Sequence, residues 1–177
     1  SPRLSLTGLG ISTDRTPIGA DDYSLFYEIW GRKSPYGQVV CFPDSVPRVI
    51  KALIVTGGNP AVSMPDSNAF REAMKRLDLM VVLDLFMTET AELAHYVLPG
   101  CTHLEKNGLA YSYNVCHGMP YLMLRKKAIE PLYECKSEFT FWKELANKMG
   151  MGDVFPWKSD EEVVELELKP SGLKYQE

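Results

Sequence analysis

The feature that most limits what this chain can fold into is an alternation of short, continuously apolar runs with segments of helical periodicity. Val49-Ile50-Lys51-Ala52-Leu53-Ile54-Val55-Thr56 is rich in β-branched residues and stops at Gly57-Gly58-Asn59-Pro60. A run of that kind suits a strand covered on both faces in a parallel sheet. A helix should follow, with Ser63 and Asp66 as a capping pair, Pro65 in its first turn, and Ala69, Phe70, Ala73, Met74 and Leu77 along one face. A second apolar run, Leu79-Met80-Val81-Val82-Leu83, ends at Asp84. Thr88 then offers a cap to a short helix through Leu93, with Glu89 and Glu92 near its positive end. A third run, Tyr96-Val97-Leu98, is ended by Pro99. Strand, helix, strand, helix, strand at this spacing is a βαβαβ unit, and right-handed crossovers make its sheet parallel. The fold class expected is therefore α/β, a Rossmann-like parallel sheet flanked by helices.

The flanks are less regular. Apolar Leu25, Phe26, Ile29 and Trp30 share a face between Asp21 and Trp30 and predict a helix closed by Gly31. The stretch from Ser34 to Arg48 carries Pro35, Gly37, Pro43 and Pro47 and reads as loop. Residues 100 to 136 read as an irregular excursion with a turn at Lys106-Asn107-Gly108. A helix from Ser137 should place Trp142, Leu145, Ala146 and Met149 at core spacing and stop at Gly150. Near the end, Ser159 with Glu162 signals a helix cap, whereas Val164, Leu166 and Leu168 alternate as a strand would; we take the helix. The expected organisation is an irregular, partly helical segment over 1–48, an α/β domain over 49–150, and an extension over 151–177 packed on it.

A net charge of −4 gives no basic field for a phosphate polymer, so nucleic acid is disfavoured as a partner. No apolar run approaches the roughly 20 residues of a membrane span, so no direct insertion is expected. The chain opens Ser1-Pro2 without methionine or a targeting segment, which fits a piece or a processed product and leaves the compartment, cytoplasmic or periplasmic, open. Cys41, Cys101, Cys116 and Cys135 form no Cys-x-x-Cys pair and read as free, mostly buried thiols. Cys101, His103, Cys116 and His117 supply donors for zinc, but their spacing matches no common module. His95 reads as a surface or satisfied structural residue, Arg125-Lys126-Lys127 as a solvated surface, and Phe139, Phe141 and Trp142 as core.

Open parallel sheets bind ligands beyond the carboxyl ends of their strands. Two features lie there: Gly57-Gly58-Asn59-Pro60, where the backbone can approach a ligand and the Asn59 amide offers donor and acceptor, and Asp84, an acid placed to accept from a ribose or base edge. An αL turn with a helix-capping aspartate explains the same residues equally well. Neither Gly-x-Gly-x-x-Gly nor Gly-x-x-x-x-Gly-Lys-Ser/Thr occurs, which sets aside ordinary nicotinamide and nucleoside triphosphate cradles.

Five blocks in order resemble the molybdopterin oxidoreductases of the dimethyl sulfoxide reductase family: Ile50 to Pro60, Val81 to Asp84, Phe86-Met87-Thr88-Glu89-Thr90-Ala91, Val97-Leu98-Pro99 and Glu105-Lys106-Asn107-Gly108. The resemblance implies the domain III type of α/β fold found in formate dehydrogenase and dimethyl sulfoxide reductase, binding the nucleotide end of a molybdopterin guanine dinucleotide with Mo or W. It marks Gly57, Gly58, Asn59, Leu83, Asp84, Lys106 and Glu138 as cofactor-binding, and no residue as catalytic or as a metal ligand. It further implies an iron–sulfur cluster in an N-terminal part, the remaining domains of the same polypeptide as partners, an iron–sulfur electron-transfer subunit, and no activity in this piece alone. A non-redox tungsten hydratase, or a cofactor-free relative within a large electron-transfer complex, is the alternative it leaves. The chain departs from the family pattern at Ala94-His95, at Asn114-Val115-Cys116-His117-Gly118, which lacks the usual arginine, and at Asn107, where an acid is commoner.

Overall fold

The computed structural model describes residues 46, 50–110, 123–169 and 172–175. The helix expected over Asp21–Trp30 and nearly all of the loop from Ser34 lie outside the described residues, as do Cys41, Cys116 and His117. The chain divides into two compact units, one formed by residues up to Val82 with Phe86–Val97, the other by Leu83–Leu85 with the residues from Leu98 onward.

The α/β expectation holds. Strands β1 (Ala52–Thr56), β2 (Leu79–Asp84) and β3 (Tyr96–Pro99) form a parallel sheet in the order β1-β2-β3. As the central strand, β2 carries the deepest side chains: Met80 and Val82 are fully buried. Each contributes about 1.5–3 kcal/mol relative to exposure. They join Val46, Ala61, Ala73, Met74, Leu77 and Ala91 in the core of the first unit. By contrast Tyr96 and Val97 on the edge strand β3 are exposed, and β1 is only partly covered, so the expectation of strands buried on both faces holds for β2 alone.

Between β1 and β2 the structure corrects the single helix expected from Ser63 to Leu77. Two helices are present, α1 (Pro60–Ser63) and α2 (Ser67–Met74). Pro65 forces its predecessor out of the helical region, and Met64 is extended with ψ 147°. Asp66, at φ 50°, then caps α2 by accepting from the Ala69 N–H at 3.2 Å. Ser63 therefore ends one helix instead of capping the next. Leu77 lies beyond α2 but still joins the core. Before β3 the short helix is a 3₁₀ turn, Ala91–Leu93, whose cap position falls to Thr90 and not to Thr88 as expected; the Thr88 hydroxyl accepts from the Ala91 N–H at 3.2 Å from the loop before it.

In the second unit, residues read as an irregular excursion contain an antiparallel pair, β4 (Gly108–Ala110) and β5 (Met123–Arg125), with Leu109 opposite Leu124. Three-residue strands carry too little alternation to show in sequence. Helix α3 (Glu138–Lys148) starts at Ser137, whose hydroxyl accepts from the Thr140 N–H, and is stopped by Gly150 at φ 71°. None of its residues is fully buried; Met149, expected in the core, falls past its last residue and is exposed. Likewise Phe139, Phe141 and Trp142 are half-buried, with the Phe141 and Trp142 rings edge to face at 4.9 Å. The Ser159 cap settles the C-terminal choice as helix α4 (Asp160–Leu168), which buries Val164 and Leu168 one turn apart.

Candidate functional site

The strand-end loop of the first unit is built by its own side chains. Gly57 sits at φ 58°, and a Cβ there would meet nothing within 4 Å. Glycine is required for backbone conformation, not for space, since an L residue in this region costs roughly 1–2 kcal/mol. Asn59 then uses every part of its amide. Its Nδ2 donates to Glu89 Oε2 at 2.8 Å, and its Oδ1 accepts from the Thr90 hydroxyl at 2.7 Å and the Thr90 N–H at 3.2 Å. The bond from Asn59 holds the Glu89 carboxyl below its usual range, helped by Glu89's own N–H. Thr90 is fully buried, and its hydroxyl also accepts from the Ala61 N–H at 3.0 Å, one of the donors that a helix start leaves unpaired. The Asn59 amide thus fastens the β1 loop to the loop before the 3₁₀ turn.

In the second unit, Leu83 and Asp84 close β2. Leu83 is buried and lines a cavity of about 380 Å³ with Leu98, Pro99, Phe141 and Leu145; Lys136 and Glu144, paired at 2.6 Å, also border it. The half-buried Asp84 accepts from the Leu85 N–H at 2.7 Å through its carboxylate and from the Gly100 N–H at 3.0 Å through its carbonyl. Gly100 lies against the Asp84 backbone, where a Cβ would rest 3.5 Å away. Lys106 and Glu138, separated by 32 positions, form an ion pair with Nζ 2.6 Å from Oε1.

The sequence-marked residues therefore fall in two groups, Gly57, Gly58 and Asn59 in the first unit and Leu83, Asp84, Lys106 and Glu138 in the second. The structure joins Lys106 to Glu138 directly. His95 is structural, its Nδ1 accepting from the Met80 N–H at 2.9 Å and its own N–H donating to the Met80 carbonyl. Of the basic cluster, Lys127 pairs with Glu130 and Lys126 lies over the Tyr175 ring. Arg125 Nε is buried with no partner among the described residues.

Two features escaped the sequence. Glu105 is a buried carboxylate that accepts from the Thr102 N–H at 2.7 Å and the Leu132 N–H at 2.9 Å. Those backbone donors, Thr102 first and Leu132 second, lower its pKa to about 2. Beside it, burial pushes the Cys101 thiol up to about 12, and the Cys135 sulfur 3.5 Å away adds to the shift. The other is Asn107, whose amide Nδ2 donates to Asp160 and Glu161 while its Oδ1 accepts from the Lys127 N–H and the Tyr175 hydroxyl. Burial works to raise the Asp160 pKa, but the bonds it accepts, led by the Asn107 N–H, outweigh this and leave it lowered. Bonds spanning 53 positions leave no local trace in sequence.

A family model described as molybdopterin oxidoreductase matches residues 32–148. The chain is 40% identical over 112 residues to the probable oxidoreductase YyaE of Bacillus subtilis, covering 63% of this chain and 16% of that protein. It is 35% identical over 146 residues to the alpha subunit of the F420-dependent formate dehydrogenase of Methanocaldococcus jannaschii, covering 81% of this chain and 21% of that one. Among solved structures, acetylene hydratase from Pelobacter acetylenicus superposes with a TM-score of 0.72 at 25% identity, over 95% of this chain and 26% of its own. The chain spans 16% and 21% of the length of these two curated relatives.

Proposed function

The chain belongs to the molybdopterin oxidoreductase family, and from that premise we propose that it is the part of a molybdenum or tungsten oxidoreductase that holds the guanine dinucleotide end of the cofactor. The family implies a molybdopterin carrying Mo or W. The observation that carries the proposal is the end of β2. Asp84 places a carboxylate acceptor at the carboxyl end of the central strand, and the residue before it lines an apolar cavity. Guanine has two adjacent N–H donors, which a carboxylate at the strand end suits.

The residues present fit such a group by the chemistry of their donors and acceptors. Asp84 is the acceptor for guanine or ribose donors. Lys106, held by Glu138, is a cation suited to a phosphate or a guanine oxygen. Gly57 and Gly58 leave the β1 loop without side chains, and Asn59 holds that loop in shape. These residues bind and orient; when bound, the metal of the cofactor supplies the redox step with the small substrate. The proposed partners are the remaining domains of the polypeptide, with an iron–sulfur cluster in the N-terminal part, and an iron–sulfur electron-transfer subunit. One observation favours a second reading: the likeness to acetylene hydratase keeps a non-redox tungsten hydratase open, since the same anchoring residues would serve it.

Calorimetric titration of guanosine diphosphate, with adenosine diphosphate as control, tests the reading. Guanine-selective binding is expected, weakened roughly ten- to a hundredfold in Asp84→Asn because an amide turns a donor toward donors. Equal binding of the two nucleotides, or an unchanged Asp84→Asn variant, would sink it.

A further inference from the structure

Cys101, Glu105 and Cys135 lie outside the residues assigned to the nucleotide. Their ligating atoms all fall within 4.8 Å of one another. The Cys101 and Cys135 sulfurs are 3.5 Å apart, and Cys135 Sγ is 3.6 Å from Glu105 Oε1. These separations can be compared with those of a shared bond or a shared cation. A disulfide needs sulfurs about 2.05 Å apart. Around a tetrahedral zinc ion, with bonds of about 2.3 Å to sulfur and 2.0 Å to oxygen, two sulfurs lie about 3.8 Å apart and a sulfur and an oxygen about 3.5 Å apart. Both observed edges sit close to the tetrahedral values.

The third ligand is also held in place. Glu105 is fixed by the Thr102 and Leu132 N–H groups, one on each oxygen, and the further position on Oε1, which the Cys135 thiol occupies in the metal-free protein, passes to a cation when that thiol loses its proton. The backbone positions the two cysteines as firmly: Gly100 and Lys136 form a parallel bridge, with the Cys101 N–H donating to the Lys136 carbonyl at 3.1 Å. A second cavity, about 320 Å³, is lined by Glu105, Cys135, Ser137 and Thr140. It supplies an entry path and room for a water as fourth ligand, the arrangement of open rather than closed zinc sites.

We propose that Cys101, Glu105 and Cys135 bind one thiophilic divalent cation of the zinc class, with the fourth coordination position open to this cavity. Two S–H bonds break and two metal–sulfur bonds form; both protons leave to solvent and no electron moves. In the metal-free protein the same groups satisfy one another, the Cys101 thiol donating to Cys135 and the Cys135 thiol to Glu105. The proposal replaces the set Cys101, His103, Cys116 and His117 considered from sequence, sharing only Cys101 with it.

The test titrates zinc, and cobalt as its spectroscopic stand-in, into the reduced protein. One equivalent should bind, and cobalt should show thiolate charge-transfer absorption in the near ultraviolet with a tetrahedral visible band. Both should be lost in Cys101→Ser and Cys135→Ser, weakened about tenfold in Glu105→Gln, where a neutral oxygen replaces the carboxylate, and kept in the Cys41→Ser, Cys116→Ser double variant. Independently of folding in any variant, zinc should protect Cys101 and Cys135 of the unaltered protein from alkylation, mapped by mass. A reduced protein that gives no thiolate band, or whose protection maps to Cys41 or Cys116, overturns the site.

Discussion

Asn59 in the first unit and Asn107 in the second perform the same task in opposite surroundings. Each amide donates to acid and accepts from hydroxyl and backbone N–H, a combination that no charged side chain offers. Around Asn59 the acid is a single exposed glutamate, and the interior of the network is the fully buried Thr90 hydroxyl. Around Asn107 there are two acids, Asp160 and Glu161, so charged bonds dominate. The first network should therefore fail when a buried hydroxyl is removed, the second when a negative charge is added. The contrast also explains a departure from the family pattern: with Asp160 and Glu161 against it, position 107 needs donors, and the commoner acid would face two carboxylates with none.

Asn107→Asp should produce the largest loss. It removes the amide donations to two carboxylates and sets a third beside them, for roughly 2–4 kcal/mol at neutral pH. Urea denaturation reads it. Like-charge crowding raises the folded-state pKa of the new acid above its unfolded value. The penalty is then full above that raised value and fades as pH falls through it toward the unfolded one, because a protonated acid can donate. A loss that does not change with pH would mean that the missing donors, and not the charge, carry the effect.

Thr90→Val should come next, at about 1–3 kcal/mol, since it leaves the buried Ala61 N–H without an acceptor and Asn59 without its shortest bond. Thr90→Ser, which keeps the hydroxyl, should recover most of it. If Thr90→Ser, which lacks the methyl group, loses more than Thr90→Val, which keeps it, then packing of the methyl and not the hydroxyl network holds the loop, and the proposed difference between the two asparagines disappears.

What was legible in the sequence follows from range. β1, β2 and β3 could be read because apolar runs bounded by Gly57, Asp84 and Pro99 are local signals. The break at Met64 and Pro65 was missed because proline is equally compatible with a helix's first turn, and only the cap at Asp66 decides the register. Met149 continues the apolar stripe of α3, but the helix ends before its turn closes on anything. At the site, the position of Asp84 at a strand end was readable from the strand itself. Asn59 was readable as an amide with both functions but not as the partner of Thr90, 31 positions away. Glu105 showed only as part of a matching block, because its partners Leu132 and Cys135 arrive from beyond β5.

The smallest effect is expected where the family resemblance pointed most directly. Lys106 and Glu138 pair closely, but the carboxylate is 40% exposed and the ammonium 19%. Such a pair gains little Coulomb energy in high dielectric and must immobilise two long side chains, so Glu138→Gln should cost less than about 1 kcal/mol. Raising the salt concentration should shrink the difference further, because a partly exposed pair is screened. A urea midpoint that barely moves would fit a lysine held ready for a ligand's negative group, with stability residing in the asparagine networks. A loss matching that of Thr90→Val would instead make the pair a structural tie between the β4 approach and the start of α3, and would remove the reason for reading Lys106 as an anchor.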